Sequence, residues 1–189
     1  PLDETGLPQW DVLLNGTETA SIPTFKVHYR NSANLKDDVR INWELNRLTW
    51  LIPSAIHART TQDEVATQYV VSNLESYLDS DRVGYGTRWN SSIELAMQAL
   101  SLIIIAGLID IPETNSPLHE RISSALLTRY EWMERFPSKY SSANNHLLAE
   151  LAALSVISGV TPSLRAQHDA YVREFAHECA KQFNDDGLN

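Results

Sequence analysis

The pattern of apolar and polar positions changes near residue 37. Upstream the sequence has no helical periodicity and contains Pro1, Pro8 and Pro23. This predicts an irregular arm over residues 1–36 that packs on the following domain. Partial alternation over residues 22–29 predicts one short strand within the arm. Residues 37–189 are predicted to form a single helical domain.

Six helices are predicted in that domain, and the first two are defined by apolar spacing. The first begins at Asp37 or Asp38, and Pro53 kinks or splits it. The second begins at Thr60 or Thr61. The apolar positions of the two helices are Ile41, Leu45, Leu48 and Ile52, then Val65, Tyr69, Leu74 and Leu78.

Signals at the helix ends define the other four helices. Ser91–Glu94 has the form of a capping box and opens a nearly all-apolar third helix that ends near Leu108. The remaining boundaries are Ser116–Pro117 to Phe136, Ser142 to just before Gly159 as the C′ residue, and Thr161–Pro162 to Phe183. Short connections favour helical hairpins in an all-α fold. The pattern alone leaves an α/α toroid, an α-solenoid and an irregular bundle open, although no fixed-period repeat supports the solenoid.

Composition narrows the function classes. A net charge of −9 and a pI near 5.1 argue against a nucleic-acid partner and give no support to a membrane-surface role. The longest apolar stretch, Leu100–Ile109, is too short to span a bilayer. The histidines lack metal-ligand spacing, and no nucleotide-binding or nucleophile motif occurs, so no metal and no cofactor is expected. An anionic ligand would need a local groove that overrides the acidic background.

The first of three candidate clusters is NWELNR, with Trp43, Asn46 and Arg47, and Trp50 one turn on. Asn46 and Trp50 share a helix face, as do Trp43 and Arg47. Aromatic and amide groups together suit a sugar-binding surface, because sugars offer apolar ring faces and hydroxyls. The alternative is a core tryptophan with a Glu–Arg network at the surface.

The second cluster is a glycine-containing loop with Arg88, Trp89 and Asn90 that leads directly into the third predicted helix. The N-terminus of a helix presents free N–H groups and a partial positive charge, which favour anions. The alternative is a well-capped helix whose tryptophan packs on the domain.

The third cluster is Asn144, Asn145 and His146 at the start of an apolar helix. With Ser142 as the N-cap, Asn145 would be the third helical residue, and His146 would lie about 100° further round the axis. Two amides and an imidazole at such an end favour a carboxylate-binding site. The alternative is that these side chains only cap the helix.

In order and content these clusters resemble the heparinase II/III-like polysaccharide lyases, including exolytic alginate lyases. The matching stretches are DVRINWELNR (38–47), RWNSSIE (88–94), SANNHLLAE (142–150) and QFNDDGLN (182–189). Gln98 departs from the pattern, because many relatives have an arginine there, and this puts one binding contact in doubt.

The resemblance implies an incomplete α/α toroid, followed by a C-terminal β-sandwich domain of the same full-length chain. It implies β-elimination on an acidic polysaccharide or oligosaccharide that contains uronic acid, in a periplasmic or secreted setting. Asn145 and His146 would neutralise the uronate carboxylate, which makes the C5 proton acidic enough to remove. Trp43, Asn46, Arg47, Arg88, Trp89, Asn90 and Asn144 would form the substrate groove or support it.

The tyrosine and the later histidine that transfer protons in relatives would fall after Asn189. We therefore expect residues 1–189 alone to be inactive as a lyase. The alternative function is a non-catalytic helical module that binds sugars or proteins and is linked to surface polysaccharide biosynthesis.

Overall fold

The computed structural model of the chain describes residues 1–27, 36–109, 116–139 and 144–183. Within these ranges most residues are helical and none lies in an extended strand, so the predicted all-α class is confirmed. The described part contains seven α-helices: α1 (Lys36–Asn46), α2 (Ile52–Thr61), α3 (Glu64–Ser80), α4 (Ser92–Leu108), α5 (Ser116–Arg135), α6 (Asn145–Val160) and α7 (Arg165–Gln182).

Seven helices replace the predicted six because the first is split, as the proline indicated. The helix α1 ends at Asn46, and buried Leu48 takes a left-handed conformation with φ of 62°. A 3₁₀ turn over Thr49–Leu51 then leads into α2, whose first turn contains Pro53. Proline has no main-chain N–H. It is tolerated there because an N–H in the first turn of a helix has no helical carbonyl to bond.

The predicted start of the next helix is wrong. Thr60 and Thr61 end α2, and α3 is capped by Asp63, whose carboxylate accepts the N–H groups of Val65 (2.8 Å) and Ala66 (3.2 Å). An acidic cap bonds two free N–H groups, whereas the hydroxyls of both threonines donate back to His57. The predicted face is correct at Leu74, which is fully buried, and at Leu78, which packs against the core, but wrong in the first half of the helix. Val65 and Tyr69 are 80% and 48% exposed, and the buried residues are Val70, Asn73, Leu74 and Tyr77.

The predicted capping box at the start of α4 is also wrong. Ser91 is the N-cap, but its side chain accepts no hydrogen bond from the helix. The carboxylate of Glu94 pairs with Arg47, directly after α1, instead of reaching back to the cap. A tertiary ion pair has thus replaced the local motif, and it joins two helices.

Both predicted ends of the fifth helix need correction. Asn144 is the N-cap of α6 and Asn145 its first residue, while Ser142 lies outside the described residues. Gly159 does not terminate the helix, which continues to Val160. A side chain at Gly159 would meet the His168 ring at 3.1 Å, and that ring bonds the Ser155 carbonyl of α6 at 2.9 Å. Glycine thus allows α7 to approach α6 closely.

The core is organised around α4, which packs against α1, α2, α5 and α6, and α7 packs on α6. As predicted, α4 ends at Leu108, and its buried residues include Leu95, Ala96, Ala99, Leu102 and Ile105. Burial of these apolar side chains supplies the main driving force for folding. Among the described helices none is by itself long and apolar enough to cross a bilayer; α6 and the segment Pro162–Gln182 meet that criterion only as a pair bent by 115°.

The arm, as far as residue 27, consists of turns and isolated bridges. The strand predicted over residues 22–29 is wrong in its described part, which contains a 3₁₀ turn at Thr24–Lys26; residues 28 and 29 lie outside the described ranges. Trp10 is buried against Trp50 and Tyr77, with ring centroids 6.3 and 5.1 Å apart. The arm thus contributes a large side chain to the same core as the helices.

Candidate functional site

A groove of about 490 Å³ lies where four segments meet. The 3₁₀ turn of the arm, the start of α4, the end of α5 and the first turn of α6 each contribute to it. Such a concave surface with aromatic side chains and a few polar groups is typical of small-ligand sites. Its lining consists of Thr24, Phe25, Trp89, Asn90, Ser91, Ser92, Trp132, Phe136, Ser138 and His146.

The second sequence cluster lies partly in this groove and partly behind it. Trp89 lines the groove although it is 1% exposed, and its indole N–H donates to Asp81 at 3.0 Å. Asn90 also lines the groove, and its amide N–H donates to the Thr24 carbonyl at 2.8 Å, which ties the arm to α4. Arg88 is fully buried and points away from the groove into the interior.

The third cluster begins α6 at the edge of the groove. The Asn144 side chain caps the helix by accepting the main-chain N–H of His146 at 3.2 Å. Asn145 is exposed in the first helical position, and His146 in the second position lines the groove. Asn144 therefore has a structural role. The side chains of Asn145 and His146 lie beside the N-terminus of the helix, which carries a partial positive charge.

The first cluster supports the groove from behind. The Trp43 indole donates to the Thr87 carbonyl at 2.9 Å, just before the second cluster. Asn46 is fully buried and donates to the main chain of Trp10 and Asn42 at 2.9 Å. These contacts position the loop that precedes α4, and burial keeps Asn46 away from any ligand.

Arg47 completes this support. Its guanidinium makes two 2.8 Å hydrogen bonds to the buried Glu94 carboxylate and also bonds Glu44. The bonds to Glu94 raise the pKa of Arg47 against the opposing effect of burial. Bidentate geometry fixes the relative orientation of α1 and α4. The Glu–Arg network, which the sequence offered as the alternative, is therefore present. The Glu94 carboxylate of this network is buried, however, and does not lie at the surface.

A network of buried polar groups lies behind Trp89. Arg88 and Arg129 are both fully buried, and each donates to a carboxylate at 2.8 Å: Arg88 to Asp11 of the arm, and Arg129 to Asp81 at the end of α3. Burial opposes ionisation of Asp81, but Arg129 and Arg88 outweigh it and hold its pKa below the usual value. At Asp11 burial dominates over Arg88 and raises the pKa.

Gln98 belongs to this network. Its side-chain carbonyl accepts from Tyr77 at 2.9 Å and from Arg129 at 3.1 and 2.9 Å, and its amide donates to the Arg88 carbonyl at 3.3 Å. Gln98, the position where the lyases that the sequence resembles often have an arginine, is therefore fully buried and accepts hydrogen bonds from Arg129. Its side chain lies in the interior and not among the described residues of the groove lining.

Sequence reasoning missed Glu150, which lies beneath the groove. It is 1% exposed, and its carboxylate accepts the Ser138 main-chain N–H at 2.8 Å, whereas the second oxygen has no partner. Burial raises the pKa of Glu150, opposed by the Ser138 hydrogen bonds and by the nearby charge of His146. The spacing of His146 and Glu150, one turn apart in SANNHLLAE, was the available signal.

Two cation–aromatic pairs at the groove were also missed. The Lys26 ammonium lies 5.9 Å from the centroid of the Phe25 ring, and the Arg135 guanidinium lies 6.0 Å from that of Phe136. Both cations are exposed, and neither forms an ion pair with a carboxylate of the described residues. They place positive charge beside the groove of an acidic protein. Within the same described residues, no three His, Cys, Asp or Glu side chains are grouped to hold a metal ion.

None of the known protein families, curated proteins or solved structures compared with the chain matches it. The resemblance to polysaccharide lyases therefore depends on the four sequence stretches alone.

Proposed function

We propose that the chain is part of a polysaccharide lyase of the heparinase II/III-like group and that its groove binds a uronic-acid unit of an acidic polysaccharide. One observation carries the proposal: Asn90 of RWNSSIE and His146 of SANNHLLAE, far apart in sequence, line the same groove. On this proposal the helices around α4 form part of an α/α toroid that a β-sandwich domain completes.

The uronate carboxylate would bind at the first turn of α6. There the free main-chain N–H groups, the exposed Asn145 amide and the His146 imidazole offer donors to one anion. Neutralising the carboxylate stabilises the negative charge that develops when the C5 proton is removed. Lys26 and Arg135 add positive charge at the groove, which offsets the repulsion expected from a net charge of −9.

One observation favours the second candidate function, a module that binds acidic sugar without cleaving it. Among the described residues that line the groove there is no tyrosine, and β-elimination requires a base and an acid. Tyr171 lies away from the groove, bonded to Tyr130 and Glu134. The two candidates share the carboxylate site and differ only in proton transfer.

The test measures binding and turnover of the 189-residue chain with trimannuronate. We expect binding that His146→Ala and Asn145→Ala each weaken about tenfold or more, because a hydrogen bond to a charged group is lost. His57→Ala, an exposed histidine on α2, is the control and should bind as the parent does. We expect no ultraviolet absorbance from unsaturated uronate; its appearance would place the base and acid within these residues. Equal affinity of the His146 and His57 variants would refute the carboxylate site.

A further inference from the structure

Two exposed aromatic rings from different segments line the groove. Phe25, on the 3₁₀ turn of the arm, is 75% exposed, and Phe136, directly after α5, is 52% exposed. Leaving two phenylalanine rings in water forfeits the free energy that burial would supply. Exposed apolar surface beside a polar-rimmed groove commonly marks a ligand site.

Hydrogen bonds of Ile22 and Thr24, which precede Phe25, hold the Phe25 turn in place. The main-chain N–H of Thr24 donates to the Gly84 carbonyl at 2.9 Å, and Gly86 N–H donates to the Ile22 carbonyl at 2.9 Å. The Asn90 amide donates to Thr24 from the other side. The exposed ring is therefore carried by a backbone that is bonded to the loop before α4, and its position does not depend on the ring.

The second ring is held as firmly. The Phe136 N–H donates to the Trp132 carbonyl at 2.9 Å, and its own carbonyl accepts the Ser92 hydroxyl at 2.9 Å. The Phe136 ring lies 4.9 Å from that of Trp132, which meets Trp89 edge-on at 5.1 Å. Three aromatic side chains of two segments thus form one continuous apolar wall from the core to the opening of the groove.

We infer that Phe25, Phe136 and Trp132 form a stacking subsite for the apolar face of a pyranose ring, next to the carboxylate site at His146. The inference deepens the proposed function and rests on it for the class of ligand. A sugar ring presents C–H groups on one face and hydroxyls at its edge, which matches an aromatic wall bordered by Asn90, Ser92 and His146. Lys26 and Arg135, beside the two exposed rings, favour a chain whose neighbouring sugars are anionic.

The experiment compares matched charged and neutral trisaccharides on the intact chain. Trimannuronate is paired with mannotriose and a glucuronate trisaccharide with cellotriose, so that each pair shares its ring skeleton and differs in the carboxylates. Affinities are measured by titration while the indole signals of Trp89 and Trp132 are followed by NMR. Phe25→Ala and Phe136→Ala should weaken both members of the pair that binds by about five- to tenfold, because ring-face burial is lost.

Three control variants separate stacking from other effects. Phe136→Tyr should retain affinity, whereas Phe136→Leu, which keeps apolar bulk without a flat face, should lose it. Tyr69→Ala removes an equally exposed aromatic ring from α3 and should change nothing. The melting temperature of Phe25→Ala should match that of the parent chain, because that ring is 75% exposed, whereas Phe136→Ala also loses the contact with Trp132 and should melt slightly lower.

The outcomes distinguish this inference from the proposed function. If trimannuronate binding depends on His146 but not on Phe25 or Phe136, the stacking subsite is wrong and the carboxylate site stands. If charged and neutral sugars bind alike, depend on both phenylalanines and ignore His146, the stacking subsite stands and the carboxylate site is wrong. If no trisaccharide of either pair binds, the stacking subsite is refuted.

Discussion

Trp89 separates two regions that differ in how fully their buried polar groups are paired. Behind it, Arg88 and Arg129 are fully buried and the Asp81 side chain is 7% exposed, and of their side-chain nitrogen and oxygen atoms only Arg88 Nε is buried without a partner. In front of it, three of the six buried side-chain atoms without a partner in the described residues belong to the groove or its floor: Thr24 Oγ1, Asn90 Oδ1 and Glu150 Oε1.

This difference in pairing decides which polar groups stabilise the fold and which polar groups reduce its stability. A buried polar atom left unpaired costs about 1–3 kcal/mol, whereas a paired one is roughly neutral or favourable. The network behind Trp89 joins the arm, α3, α4 and α5 through hydrogen bonds between buried groups. The groove brings together unpaired polar atoms, exposed aromatic rings and exposed cations. A ligand that pairs or covers these groups would gain binding free energy.

The largest effect is expected from Asp81, the shared partner of both buried arginines. Asp81→Asn removes the charge that compensates Arg129 and leaves a buried cation uncompensated, so we expect a loss of about 3–5 kcal/mol in the free energy of unfolding. Urea denaturation measures it. Asp79→Asn is the control, because its pair with Arg121 is exposed and should contribute about 1 kcal/mol or less. Equal losses in the two variants would contradict the distinction between interior and surface.

An intermediate effect is expected at Asn46, which sequence analysis placed with the possible sugar contacts. Asn46→Ala removes the hydrogen bonds to Trp10 and Asn42, and we expect a loss of about 1–3 kcal/mol in stability. Sugar affinity of the folded fraction should not change, because the side chain is fully buried. If Asn46→Ala had normal stability but no longer bound trimannuronate, Asn46 would be part of the ligand site.

A smaller, pH-dependent effect is expected at Glu150. Its folded-state pKa is raised above the ordinary 4.5, so the stability it contributes is present below that pH and is lost as pH rises through the folded pKa. Glu150→Gln keeps an acceptor for Ser138 but cannot ionise. The stability of the parent relative to the variant should therefore be highest below pH 4.5 and should fall as pH rises through the folded-state pKa. A pH-independent difference would show that the carboxyl ionises as it does in water.

Local signals predicted much of the fold and little of the site. Pro53 and the apolar run of α4 act within a few residues, so the split helix and the end at Leu108 could be predicted. The cap at Asp63 was missed because Thr60 and Thr61, three and two residues earlier, also have side chains that can cap a helix. The capping box failed because Glu94 gains more from a bidentate bond to Arg47 than from a helix N–H. Lys26 and Arg135 are the sequence neighbours of Phe25 and Phe136, but no local signal shows that the two segments line one groove, because only tertiary packing brings them together.

The smallest stability effect is expected at Asn145, and there the two adjacent asparagines divide stability from binding. Asn145→Ala changes an exposed first-turn residue and should shift the free energy of unfolding by less than about 0.5 kcal/mol. Asn144→Ala removes the cap that accepts the His146 N–H and should cost about 1 kcal/mol. For trimannuronate affinity the order should reverse, because the cap bond to the His146 N–H holds the Asn144 side chain in place, whereas the exposed Asn145 side chain can turn to the ligand. Thermal denaturation and titration of both variants measure the two orders. If Asn145→Ala is the less stable variant and binds normally, Asn145 is a structural residue, and the carboxylate must be recognised elsewhere in the groove.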